Sequence, residues 1–349
     1  MNTKKITKSA ASSAASSVAP SKSPSASSSA SASEPLVRIG FLGLGIMGSA
    51  MAGNLIRAGF QVSGFDPSAK ARQQLKAAGG KPSRSAAELV GSVQVVICSL
   101  PNANALKDNA EILATAGHKG LLVIETSTLD PRDKEAARAR VAKSGVILLD
   151  CPLSGTGAQA KRKDLTVYAS GSKADIRRLV PVFEGFSKAH FDLGAFGNGM
   201  KMKLMANLLV AIHNVSTAEA LLLGQRWGIS PRKAVEVLSD GAGGSRMLQV
   251  RGPFMEDEGW KEVTMKISVW QKDMYLISQA LAETQVAAPL FAATVPIYNA
   301  AMGMGHASHD TAAVFDVLSR MCSEPTKSVT KSVTKSVTKS AAKSTSKKR

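Results

Sequence analysis

Residues 39–48 read Ile39-Gly40-Phe41-Leu42-Gly43-Leu44-Gly45-Ile46-Met47-Gly48, a glycine-rich turn between a short apolar run and a helix-like stretch at 49–58. Gly43, Gly45 and Gly48 fall on the G-x-G-x-x-G spacing. That spacing lets the chain turn tightly, lets backbone approach a phosphate, and lets the next helix pack close to its strand. Gly45, Ile46 and Met47 then open a helix whose unpaired N–H groups and dipole favour an anion. Glycine turns after strands are also ordinary architecture, so the weight comes from context. A second apolar run at 60–65 ends in Asp66, roughly 20 positions beyond the first glycine, where an acid accepts hydrogen bonds from the hydroxyls of an adenosine ribose.

The same alternation continues. Candidate strands at 37–42, 61–66, 93–99, 121–126, 146–150, 166–170 and 190–193 are separated by helical stretches such as 69–78, 103–113 and 132–143. Strands and helices alternating at this interval predict a doubly wound, mostly parallel α/β sheet of the Rossmann type. After Gly199 the texture changes: 200–227, 231–238, 263–283 and 290–302 all read as helices. We therefore expect a dinucleotide-binding domain over 36–196 and an all-α domain over 197–323, with the substrate in the cleft between them. The flanks, 1–35 (Ser/Ala-rich) and 324–349 (Lys-rich), are low-complexity and expected to be disordered, because they lack the apolar content that offsets ordering entropy.

Composition narrows the function classes. The chain has 349 residues, 44% of them hydrophobic, and a net charge of +18. That charge suggests nucleic acid until it is divided along the chain. The two flanks carry eleven lysines and Arg349 against Glu34 and Glu324, more than half of the excess. The Thr-Lys-Ser-Val repeat from Thr326 could hold a polyanion weakly by counterion release, or be a solvated tail. No apolar run reaches the roughly 18 residues of a membrane span. Cys98, Cys151 and Cys322 form neither a C-x-x-C pair nor a zinc-ligand cluster, so no metal is expected. A reducing, cytoplasmic location fits. The Ser-rich N-terminal flank distantly resembles a transit peptide but lacks its arginines.

Four further segments occur in order, and with the glycine turn they carry a resemblance. They are Leu100-Pro101, Glu125-Thr126-Ser127-Thr128-Leu129-Asp130-Pro131, Asp150-Cys151-Pro152-Leu153-Ser154-Gly155-Thr156-Gly157-Ala158, and Gly197-Asn198-Gly199-Met200-Lys201-Met202-Lys203-Leu204-Met205-Ala206-Asn207. Taken from residues alone, the first two are also ordinary strand-to-helix turns. Together, over 37–321, the chain resembles the β-hydroxyacid dehydrogenase family, which includes 3-hydroxyisobutyrate dehydrogenase, tartronate semialdehyde reductase and a related 6-phosphogluconate dehydrogenase branch.

The resemblance implies roles residue by residue. Leu100, Pro101 and Thr128 would lie beside the dinucleotide, and Lys272 of Lys272-Asp273 would reach the cofactor side of the cleft. Ser154, Gly155 and Thr156 would grip the substrate carboxylate. Lys203 would be the catalytic acid/base, with Asn207 one helical turn on, at i+4, sharing its face. The chemistry agrees: moving a hydride to a carbonyl leaves an alkoxide that needs a proton, and a partly buried lysine can supply one. Two departures stand out. Cys151 replaces the usual Ala and is read as packing, and Thr156 replaces the family's second Gly, which alters the pocket edge. Arg246 and Arg251 are further candidates for meeting a carboxylate, Asp310 has no assigned role, and His213 reads as a core histidine.

The implied function is hydride transfer between a nicotinamide and a small hydroxy acid or its oxo partner. NAD is favoured because Asp66 repels a 2′-phosphate and Pro67, not Arg, follows it, though NADP stays open. Family members pair through the helical domain, which implies a homodimer or homotetramer. Two alternatives remain at this stage: a non-catalytic dinucleotide-binding protein tethered to nucleic acid by its basic tail, and an imine reductase. Retention of Lys203 favours the dehydrogenase over both, since some binding relatives of the family have lost that lysine and imine reductases usually lack it.

Overall fold

The computed structural model describes residues 38–322, which belong to one compact unit. Both low-complexity flanks, including the lysine repeat and its expected polyanion binding, lie outside the described residues. In chain order the first half runs β1 (Arg38–Leu42), α1 (Ile46–Arg57), β2 (Gln61–Phe65), α2 (Ala69–Ala77), β3 (Lys81–Pro82), α3 (Ala86–Ser92), β4 (Val95–Cys98), α4 (Ala103–Ala116), β5 (Leu122–Glu125), α5 (Pro131–Ala142) and β6 (Ile147–Asp150). These strands form a parallel six-stranded sheet of order β3-β2-β1-β4-β5-β6.

Local chemistry sets the element boundaries. Ser68, Ser85 and Asn102 each accept an N–H from the first turn of α2, α3 and α4, and Asp130 caps α5 with Pro131 at its first position. Ile39, Phe41, Ile97 and Ile124 pack to one side of the sheet with Met51 and Leu55 of α1. Leu42, Val96, Cys98 and Val123 pack to the other with α3 and α4. With helices on both faces, the strands are buried on both sides, so β4 and β5 are unbroken apolar runs apart from the terminal Glu125. The sheet order reverses between β1 and β4, and the glycine turn opens at that switch point.

Three features differ from the sequence-based expectation. First, the strands after β6 leave the main sheet. β7 (Leu153–Ser154) pairs antiparallel with β8 (Thr166–Ala169), which pairs in parallel with β9 (Ala189–Asp192) in a separate small sheet. Pro152 lacks an N–H to continue a ladder, and the chain turns back through α6 (Gly157–Lys161), while α7 (Lys173–Phe186) precedes β9. Second, the two-residue strands β3 and β7 and the short α6 give too little periodicity to be read from sequence. Third, 263–266 is not helical.

The second half is helical: α8 (Asn198–Arg226), α9 (Pro231–Leu238), α10 (Arg246–Arg251), α11 (Ile267–Thr284), α12 (Pro289–Gly303) and α13 (Val314–Met321), with short 3₁₀ turns. Its core gathers Met200 and Leu204 of α8 with Trp270, Tyr298 and Phe315. By length and composition α8 is the one described helix that would suit a membrane crossing, but one face of it is built into this core.

Candidate active site

The glycine turn has the shape an anion needs. Gly43 sits at φ 95°, and a Cβ there would lie 2.2 Å from the Ser99 carbonyl oxygen; one on Gly48 would lie 2.1 Å from the Gly43 carbonyl oxygen. Both positions therefore require glycine, while a Cβ on Gly45 would meet nothing within 4 Å, so the loop is open to a ligand there. No side chain caps α1 and no acid occupies its first turn, which leaves the N–H groups of Ile46, Met47 and Gly48 for an anion. Asp66 closes this edge: its carboxylate accepts the Leu44 and Ser68 N–H groups, each at 2.8 Å. Each oxygen keeps a lone pair for a ribose hydroxyl. These residues fit a dinucleotide.

From the loop a cleft of about 510 Å³ runs between sheet and helical half. Ile46, Met47, Leu100, Pro101 and Thr128 line it, as do Gly155, Thr156, Lys203, Lys272 and residues 263–266. Lys203, in the second turn of α8, is half-buried. Burial pulls its ammonium below the ordinary lysine value; Asp273 opposes that shift and Lys272 adds to it. Asp273 in turn accepts Asn207 Nδ2 at 3.0 Å and Lys272 Nζ at 2.8 Å, and Lys272 also donates to the Thr128 carbonyl. Asn207 is thereby fixed with its Oδ1 as the free acceptor of the amide.

Gly155, at φ 129°, could not be replaced without a clash with Leu165, 2.6 Å from the would-be Cβ. Thr156 caps α6 in a reciprocal box: its N–H donates to Gln159 Oε1 at 3.0 Å, and its hydroxyl oxygen accepts the Gln159 N–H at 3.5 Å. The residue that departs from the family's glycine is thus engaged with Gln159, yet it still lines the cleft. Ser154 is half-buried beside it in β7 and does not line the cleft, and Asn207 is buried behind Lys203.

The arginine candidates lie elsewhere. Arg246 pairs with Asp164 at 3.1 Å, and Arg251 with the buried Asp310 at 3.0 Å; neither lines the cleft. Asp310 also accepts the Thr264 and Met265 N–H groups at 2.8 and 3.0 Å, so it clamps the loop that walls the cleft. His213 is half-buried rather than in the core. Cys151 is fully buried and its thiol is pushed up by burial, in keeping with a packing role.

Two contributors escaped the sequence reading. Arg72, in the first turn of α2, donates to the Asp66 and Pro67 carbonyls and lies 5.8 Å over the Phe65 ring, so a guanidinium does stand near Asp66. Lys134 is buried between Glu125 and Asp150, with Nζ at 2.6 and 2.7 Å from their carboxylates. Burial pulls this ammonium down, and the two carboxylates more than offset it, leaving it above the ordinary value. The detectable signal was an acid ending each of two adjacent apolar strands.

Fold and cleft together define a dinucleotide-dependent oxidoreductase with a lysine lining its cleft. Residues 38–220 match the family model described as the NAD binding domain of 6-phosphogluconate dehydrogenase, and 197–318 match that of the NAD-binding region of NADP-dependent 3-hydroxyisobutyrate dehydrogenase. L-threonate dehydrogenase of Cupriavidus necator is 32% identical over 283 residues, 80% of this chain and 95% of that protein. NAD-dependent L-serine dehydrogenase of Pseudomonas aeruginosa is 30% identical, over 79% of this chain and 96% of its own. The structure of Mycobacterium tuberculosis 3-hydroxyisobutyrate dehydrogenase with L-serine superposes with a TM-score of 0.73 at 30% identity, covering 81% of this chain and 99% of that one. The chain belongs to the β-hydroxyacid dehydrogenase family, and it is an NAD(P)-dependent hydroxyacid dehydrogenase.

Proposed function

We propose that Lys203 is the proton-transfer group of this dehydrogenase, acting on a small hydroxy acid seated in the cleft between Gly155 and Lys203. One observation carries this reading: a lysine of depressed pKa lines the cleft that is also lined by Ile46 and Met47 of the glycine turn and by Thr128. The nicotinamide supplies the hydride acceptor or donor. In oxidation, Lys203 Nζ takes the hydroxyl proton, and in reduction it returns it. Asn207, buried outside the cleft lining, donates to Asp273 and so holds the carboxylate that acts on Lys203. The Gly155 backbone holds the carboxylate, with Thr156 shaping the pocket edge. Residues 264–266 cover the reacting atoms and exclude water.

We infer a preference for NAD, supported by the Asp66 carboxylate at the ribose edge. Arg72 tempers that preference, because release from the Asp66 and Pro67 carbonyls would let it meet a 2′-phosphate. Exposed Met205 and Leu209 on α8 and Tyr275 on α11 support a homodimer or homotetramer paired through the helical half. The test is nicotinamide absorbance with NAD and NADP against 3-hydroxyisobutyrate, glycerate, threonate and 4-hydroxybutyrate, and light scattering for assembly. Turnover with none of these acids would refute the substrate class, and a lower KM for NADP would refute the cofactor preference.

A further inference from the structure

Lys134 of α5 is buried and is not among the residues that line the cleft, so it exchanges no proton with substrate. Its two partners end neighbouring strands: Glu125 closes β5, Asp150 closes β6, and the two are Cα partners in the sheet. Buried carboxylates so placed need a shared cation. From Glu125 the connection continues into the cleft lining, because Ser127 gives its N–H to Glu125 and its Oγ accepts the Leu100 N–H at 2.8 Å. Leu100, Ser127 and Thr128 all line the cleft. From Asp150 it continues into α8, through the Met200 N–H and, by way of the Ser170 hydroxyl, the Gly199 N–H. The helix is pressed close at this point. A Cβ on Gly199 would lie 2.4 Å from the Tyr168 carbonyl oxygen and 2.7 Å from that of Asp150. The first turn of α8 therefore has little slack, and Lys203 follows it directly.

We propose that Lys134 is a positioning residue for the reaction: by holding Glu125 and Asp150 together it fixes the start of α8, and with it Lys203, relative to Leu100, Ser127 and Thr128. The proposal rests on the reading of Lys203 as the proton-transfer group. Reaction requires the reacting atoms to lie about 3–3.5 Å apart, and a misplacement of about 1 Å can lower the rate by about 10²-fold. Lys134 thus governs the rate without touching the reacting atoms. The glycine turn is held separately, by the Phe65 carbonyl and the Asp66 carboxylate, so the grip on the dinucleotide phosphates does not depend on Lys134. A residue that only stabilised the fold would leave the rate of the folded enzyme and the titration of Lys203 untouched.

The test uses full-length Lys134→Met, which removes the ammonium and keeps an apolar chain, with folding checked by circular dichroism. On the hydroxy acid that wild type turns over fastest, kcat should fall by about 10–10²-fold, while the dissociation constant for NAD, read by fluorescence, stays near that of wild type. A second readout needs no turnover: competitive acetylation with acetic anhydride across pH, read by mass spectrometry at the peptide carrying Lys203. Burial holds that lysine below its ordinary value, so loosening the first turn of α8 should move its midpoint up. Lys134→Met/Glu125→Gln places an amide donor beside Asp150 and should regain part of both the rate and the midpoint. If Lys134→Met does not fold, Ser170→Ala, which takes one acceptor from the same joint, should show the same two shifts at smaller size. A folded variant with wild-type kcat and an unmoved Lys203 midpoint overturns the proposal, as does a loss confined to dinucleotide affinity. Near-normal turnover in Lys203→Ala would instead fail the reading of Lys203, and the acetylation midpoint would still decide whether Lys134 places that lysine.

Discussion

The Asp150 carboxylate accepts the Met200 N–H through Oδ2 at 2.8 Å, which ties the end of β6 to the first turn of α8, one turn ahead of Lys203. Its other oxygen takes Lys134, and Lys134 reaches on to Glu125, whose Oε1 accepts the Ser127 N–H at 3.0 Å. Ser170 completes the joint by donating to Asp150 and accepting the Gly199 N–H at 2.9 Å. One buried cation thus connects the Thr126–Thr128 wall of the cleft to the helix that carries its lysine. Two carboxylates against one ammonium leave a net negative charge at the N-terminus of a 29-residue helix, where the dipole favours it.

Removing Lys134 strands both carboxylates in a dry site. Breaking a buried ion pair from one side costs about 3–5 kcal/mol, so Lys134→Met should lower the urea midpoint by a corresponding amount. Lys134→Met/Glu125→Gln should recover part of the loss, because one uncompensated charge is then gone. A single variant as stable as wild type would show that the network does not hold the two halves of the site.

Lys203→Ala should fold and bind dinucleotide normally, since Lys203 is only half-buried and faces the cleft. Turnover should fall by about 10²–10⁴-fold, the range for loss of a positioned proton-transfer group. Stopped-flow binding and steady-state rates check this together. Near-normal turnover would remove Lys203 from the mechanism.

The pH dependence follows from the neighbours of Lys203. Oxidation requires the free base, and burial depresses the lysine below 10.5, so kcat/KM should rise with pH through an inflection below that value. Asp273 raises the Lys203 pKa and Lys272 lowers it. Asp273→Asn should therefore move the inflection down, and Lys272→Met should move it up. Profiles in which the two variants shift the same way would contradict the assignment.

The extent to which this site was legible in the sequence varied with the kind of signal. The Rossmann half was legible because β4 and β5 are apolar runs buried on both faces and the glycine spacing marks the switch point. Lys203 was legible only within the Gly197–Asn207 constellation, since a lysine on a helix is ordinarily solvated. Lys134 was not, for the same reason: its partners Glu125 and Asp150 stand side by side only after β5 and β6 pair in register. The loop at 263–266 looked helical because Val263 and Met265 continue an apolar pattern. Asp310, distant in sequence, overrides that pattern by taking the Thr264 and Met265 N–H groups for itself.

That clamp gives the final prediction an order as well as a direction. Asp310 accepts from Arg251 and from the Thr264 hydroxyl and the N–H groups of Thr264, Met265 and Ala312. Arg251→Met leaves the carboxylate with five donors, the Thr311 hydroxyl being the fifth, which offset much of its burial. Asp310→Ala instead leaves the buried Arg251 guanidinium uncompensated and frees the loop. Burial already holds that guanidinium below the ordinary arginine value, against the opposing pull of Asp310. Asp310→Ala should thus be the more destabilising, by about 3–5 kcal/mol, and should raise the substrate KM while the dinucleotide KM changes little, because 264–266 wall the substrate end. Urea unfolding gives the order, and the two KM values give the location. If Arg251→Met proved the more damaging, the arginine rather than the carboxylate would be the anchor of the loop.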